Sequence, residues 1–98
     1  MNKFYDVHNK GKNAKSHFII AKDEKDAFRI ASTQPGKPKS LNELPIEDNI
    51  QNLIDSGKTG ILARKIVGIN GNELIDIIMG KSKYPKDSKD PWFFTIEI

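Results

Sequence analysis

Residues 59–80, TGILARKIVGINGNELIDIIMG, decide how this chain folds. Two apolar, β-branched runs flank Asn70-Gly71, and Asn-Gly is the pair that a two-residue type I′ turn accepts most cheaply, because both central positions need φ > 0. A hairpin closed there sets Ile69 against Asn72, Val67 against Leu74, Lys65 against Asp76 and Ala63 against Ile78, with Ile66 meeting Ile75 on the other face. The Lys65–Asp76 charge match agrees with that register. A ribbon apolar on both faces has to be covered, so it is expected at the centre of a sheet. The alternative for 61–79 is a pair of helices, since Leu74, Ile75, Ile78 and Met79 also fit one helical face.

Working outward toward the N-terminus, residues 2–8 (NKFYDVH) and 16–22 (SHFIIAK) read as short strands rich in Phe, Tyr, Val and Ile, paired antiparallel across the polar loop 9–15. Asp23 then stands as an N-cap, and Glu24 and Asp26 place negative charge in the first turn of a helix that runs to Thr33. Ala27, Phe28, Ile30 and Ala31 form its apolar stripe, with Lys25 and Arg29 on the wet side. Residues 34–40 hold two prolines and a glycine and read as a loop. Leu41, Leu44, Ile46, Ile50, Leu53 and Ile54 recur near helical spacing, which predicts a second helix over 46–56 with Pro45 in its first turn and Gly57 at C′. Toward the C-terminus, 81–91 is a charged loop with two prolines, and 92–98 (WFFTIEI) closes the chain as a strand. The expected architecture is a single α+β domain over 1–98, ββααβββ, an antiparallel sheet of five strands with both helices on one face.

The chain of 98 residues is 37% hydrophobic and 30% charged, a globular composition, and no apolar run approaches the length of a membrane span. The polar opening MNKFYDVHNK lacks the apolar region of a secretory signal, so a cytoplasmic protein is expected. Without cysteine, a disulfide framework, thiol catalysis and zinc fingers are excluded. The net charge of +3 is uneven: +5 over residues 1–39, −3 over 40–80 and +1 over 81–98. All the cations but Arg29 and Arg64 are lysines, compact point charges without the planar fork of bidentate base recognition.

Ser56-Gly57-Lys58-Thr59 has the ending of a phosphate-binding loop but lacks its leading Gly and its preceding strand, and reads as a helix C-cap. His8 and His17 are the only imidazoles; an antiparallel pairing could bring them together, but two ligands without cysteine define no metal site, and both read as sheet-surface histidines. The carboxylate pairs Asp23 with Asp26 and Glu47 with Asp48 are explained as charge at helix N-termini. Lys81, Lys83, Lys86 and Lys89, with Tyr84 and Trp92 nearby, are the best candidate for a recognition surface, since cations neutralise phosphates and aromatics stack on bases. Lys10, Lys12 and Lys15 form a second basic loop. If the two loops share one end of the sheet, they make a single basic rim that suits nucleic acid or an acidic protein.

Met1-Asn2-Lys3 with Tyr5, the segment Gly11-Lys12-Asn13-Ala14, the apolar strand running into Asp23-Glu24-Lys25-Asp26-Ala27-Phe28-Arg29-Ile30-Ala31 and the closing Trp92-Phe93-Phe94-Thr95-Ile96-Glu97 carry a resemblance. Together they resemble the layout of small phage-encoded anti-CRISPR proteins, most of all the family that caps the HNH nuclease domain of type II-C Cas9. The likeness covers the N-terminal part of the chain and its last strand, not the middle. In that family a Ser-Cys pair before the terminal Trp strand enters the nuclease site; here Asp90 and Pro91 hold those positions. The resemblance implies a phage or mobile-element α+β protein that binds and blocks a host defence protein, such as a Cas nuclease, without chemistry of its own. The expectation is therefore a non-enzymatic inhibitor with no catalytic residue, cofactor or metal, whose partner-binding residues are Lys81, Lys83, Tyr84, Lys86, Lys89, Asp90, Trp92, Lys10, Lys12 and Lys15. A small nucleic-acid-binding or regulatory protein using the same lysines is the alternative.

Overall fold

The computed structural model describes residues 1–65. The described residues form strands β1 (Lys3–Lys10) and β2 (Ser16–Ala21), helix α1 (Glu24–Ala31), strand β3 (Lys37–Leu44), helix α2 (Asp48–Asp55) and strand β4 (Gly60–Lys65). All the strand pairs are antiparallel, in the order β3-β1-β2-β4, so the fold is α+β. Among the described strands the two middle places belong to β1 and β2, whose residues are the most buried.

Alternation along β1 and β2 gives the sheet two apolar faces. Tyr5, Val7, Ile19 and Ala21 face α1 and form one cluster with Ala27, Ile30 and Ala31 of the helix and Ile61 of β4, with Phe28 and Leu41 packed at its margin. Phe4, Phe18 and Ile20 occupy the other face, where the Phe4 and Phe18 rings stack at 5.7 Å between centroids. Ile50 and Ile54 of α2 are buried outside the α1 cluster. In β4 the register slips by one residue opposite Phe18 and Ile19, which leaves Leu62 as the extra residue of a bulge and lets Ile61 and Leu62 both be buried.

The sequence elements that form as expected do so for local reasons. Asp23 Oδ1 accepts the backbone N–H of Asp26 at 2.8 Å, and Asp26 Oδ2 accepts that of Lys22 at 3.1 Å, so two donors at the start of α1 are satisfied reciprocally. Gly57, at φ +75°, follows the end of α2 as the left-handed residue that the C-cap reading requires.

Three expectations need correction. Residues 37–40 are not loop: they open β3, and the order is ββαβαβ through Lys65. Pro38 is tolerated because it sits in an outer strand of the described order beside a register shift, where the missing N–H costs no regular ladder bond. Leu41 and Leu44 belong to that strand, opposite Val7 and Phe4, and not to a helical face. Pro45 precedes α2 instead of lying in its first turn. At 60–65 the strand reading of the 59–80 stretch holds and the helical alternative does not. Its Asn70-Gly71 turn and second arm, like the terminal strand, lie outside the described residues.

Candidate lysine docking surface

The turn between β1 and β2 is built by Gly11 at φ +128° and Asn13 at φ +63°, with the Ala14 N–H donating to the Gly11 carbonyl. It carries Lys12 and is flanked by Lys10 and Lys15, all exposed. Strand β3 enters the sheet beside it. Lys37 stands opposite Lys10 in the β1–β3 ladder, and Lys39 is the extra residue where the register shifts between His8 and Asn9. Five exposed lysines, Lys10, Lys12, Lys15, Lys37 and Lys39, therefore share one end of the sheet.

That end is held by close backbone contact. A Cβ on Gly36 would lie 2.7 Å from Ala14 Cβ and 2.8 Å from the Lys10 carbonyl oxygen, so only glycine lets the segment entering β3 approach the turn this closely. Asn9 reinforces the junction, its Nδ2 donating to the carbonyls of Ala31 at 3.0 Å and Pro35 at 3.2 Å. Helix α1 thus ends here, and its negative dipole end offsets a small part of the lysine charge.

Among the described residues, carboxylates are missing from this end. The sequence has no Asp or Glu between Asp6 and Asp23 or between Asp26 and Glu43. None of the five lysines makes an ion pair among the described residues, whereas elsewhere Lys3 meets Glu43 at 3.6 Å and Arg29 meets Asp26 at 2.7 Å. Arg29 is the main reason that the Asp26 carboxyl is held below its ordinary value, with the Lys22 N–H second. At the other end of β1, burial, followed by the charges of Glu43, Glu24 and Asp23, raises the Tyr5 phenol above its ordinary value.

The histidines do not come together. His8 is opposite Ser16 and His17 opposite Val7, so the rings lie on opposite faces, and His17 is buried instead of surface-lying. His8 forms a different cluster: Ser16 Oγ lies 2.5 Å from Nδ1 and Asp6 Oδ2 lies 3.5 Å from Nε2. The order hydroxyl, imidazole, carboxylate is that of an acyl-transfer triad. Here it follows from ladder register alone, since Asp6, His8 and Ser16 are same-face neighbours, and Ser16 opens a strand instead of occupying the strained turn that exposes a nucleophile.

Of the sequence-derived candidates, the structure places Lys10, Lys12 and Lys15 together; Lys81, Lys83, Tyr84, Lys86, Lys89, Asp90 and Trp92 lie outside the described residues. Lys37 and Lys39 were missed, because a Pro-Gly-Lys-Pro-Lys run reads as loop until its pairing with β1 is known. No group of three or more metal-ligating side chains occurs among the described residues, and no described helix is long and apolar enough to cross a membrane. No protein family, curated protein or solved structure matches the chain.

Proposed function

We propose that this protein is a non-enzymatic inhibitor, encoded by a phage or mobile element, that binds a host defence protein and blocks it by covering a functional surface. A Cas nuclease is the target the anti-CRISPR resemblance suggests. The observation that supports a binding role is the lysine end: five exposed cations without ion-pair partners among the described residues, fixed on a sheet by backbone contact. A surface of that kind steers association with an acidic partner without needing groups of its own that react.

The same lysines support the second reading, a nucleic-acid-binding protein, which would lose affinity steeply with salt. Adding the full chain in stoichiometric amount to a DNA-cleavage assay of a type II-C Cas9 tests the narrow form. Lost cleavage supports it and unaffected cleavage removes that target. Capture on the immobilised chain from bacterial lysate tests the wider form: the inhibitor reading requires one stoichiometric protein, and bulk nucleic acid alone would replace it with the second.

A further inference from the structure

We infer that Lys10, Lys12, Lys15, Lys37 and Lys39 form an electrostatic docking surface for a cluster of Asp and Glu carboxylates on a folded partner protein. The inference rests on the inhibitor reading only in taking the partner to be a protein.

The lysine end is costly in the free chain. Like charges directly opposite one another in a ladder are destabilising, and Lys10 faces Lys37 across β1 and β3. The Gly11–Gly36 approach presses the turn and the segment entering β3 together, which brings Lys12 and Lys15 toward Lys37 and Lys39. An opposing layer of carboxylates removes that repulsion and adds attraction, so charge that has no ion-pair partner among the described residues is satisfied in the complex. Because the backbone beneath is fixed, little ordering of the main chain accompanies binding.

Shape and side-chain chemistry favour a protein over nucleic acid. A two-stranded ribbon enters the major groove, but here the β1–β2 turn is flanked by β3 on one side and by the end of β4 on the other, with Lys65 standing opposite Ser16. The four described strands, at about 4.8 Å spacing, span about 14 Å between outer axes, more than the groove width of about 12 Å. None of the five cations is an arginine, so this end lacks the planar fork that reads base edges bidentately, while lysine ammonium groups still pair with carboxylates as compact point charges.

The test uses the full chain and two fluorescent probes, a negatively supercharged fluorescent protein and a labelled DNA duplex, at moderate salt. Two variants remove the same charge from different places: Lys12→Ser, Lys15→Ser and Lys37→Ser together at the lysine end, and Lys22→Ser, Lys25→Ser and Lys58→Ser together at exposed positions away from it. The first should bind the acidic protein about tenfold more weakly than the parent and the second within about twofold. Equal weakening by both would reduce the effect to net charge and overturn the surface, as would undiminished binding by the first. Tighter binding to the duplex than to the acidic protein would overturn the choice of partner. Should the first variant lose its cooperative thermal transition, the pair Lys12→Ser and Lys37→Ser, read against Lys22→Ser and Lys25→Ser, decides the same question. Neither probe is the biological target, so failure here leaves the inhibitor reading to the capture experiment, whereas capture of bulk nucleic acid alone would overturn the protein partner assigned to this surface.

Discussion

A Cβ placed on Gly36 would sit 2.8 Å from the carbonyl oxygen of Lys10, closer than real side chains approach a backbone. The contact joins the segment entering β3 to the end of β1, and the proposed lysine surface exists because of it.

Gly36→Ala combines this clash with a left-handed φ of +86° and should destabilise the protein by about 3–5 kcal/mol. Gly57→Ala keeps only the backbone term, since nothing lies within 4 Å of its Cβ at φ +75°, and should cost about 1–2 kcal/mol. Urea unfolding of the two variants checks this; equal losses would mean that the close approach is absent.

Asp23 and Asp26 set the start of α1. Asp23→Ala should cost about 1 kcal/mol, and Asp23→Asn much less, because an amide oxygen still accepts the Asp26 N–H. Arg29→Gln removes the main influence holding the Asp26 carboxyl below its ordinary value of 3.8. A depressed folded value gives stability that is present above the unfolded value and lost as pH falls through the folded one. The advantage of the parent over Arg29→Gln should therefore be constant near neutrality and shrink below about pH 4, as read from thermal midpoints across pH.

Tyr5 tests the buried face in the opposite pH range. Its phenol ionises above its ordinary value of 10.0, chiefly because it is buried, so the unfolded chain loses this proton first. The stability linked to it is present below that value and lost as pH rises through the folded one. Tyr5→Phe should therefore narrow the alkaline loss of stability; parallel curves for parent and variant would show the phenol to be solvated.

The sequence made some of this fold legible and hid the rest for physical reasons. The β1–β2 pair and α1 were readable because each carries its own signal, β-branched and aromatic alternation in one case and the Asp23 cap in the other. Strand β3 was not, because Leu41 and Leu44 are three apart and, opposite Val7 and Phe4, lie on opposite faces of the sheet while mimicking a helical stripe. Pro38 reinforced the error, since a proline excludes a regular inner strand but not an outer one beside a bulge. The lysine end was half legible: Lys10, Lys12 and Lys15 are neighbours in sequence, whereas Lys37 and Lys39 join them only through β1–β3 pairing. The Asp6, His8 and Ser16 cluster was equally invisible until register was known.

Repulsion between Lys10 and Lys37 gives a direct stability signature. Lys37→Ser should leave the fold unchanged and raise stability by about 0.5 kcal/mol at low salt, an advantage that fades as salt screens the pair. Denaturation at two ionic strengths checks it; a loss of stability at low salt would place an unseen anion beside Lys37.

The most direct measurement is a titration of isotopically labelled protein with the negatively supercharged fluorescent protein, followed residue by residue by NMR. The proposed docking surface predicts shift changes concentrated in 9–16 and 36–40, with little at 22–25 and 58. Changes spread evenly over both sets, or confined to the second, would contradict it.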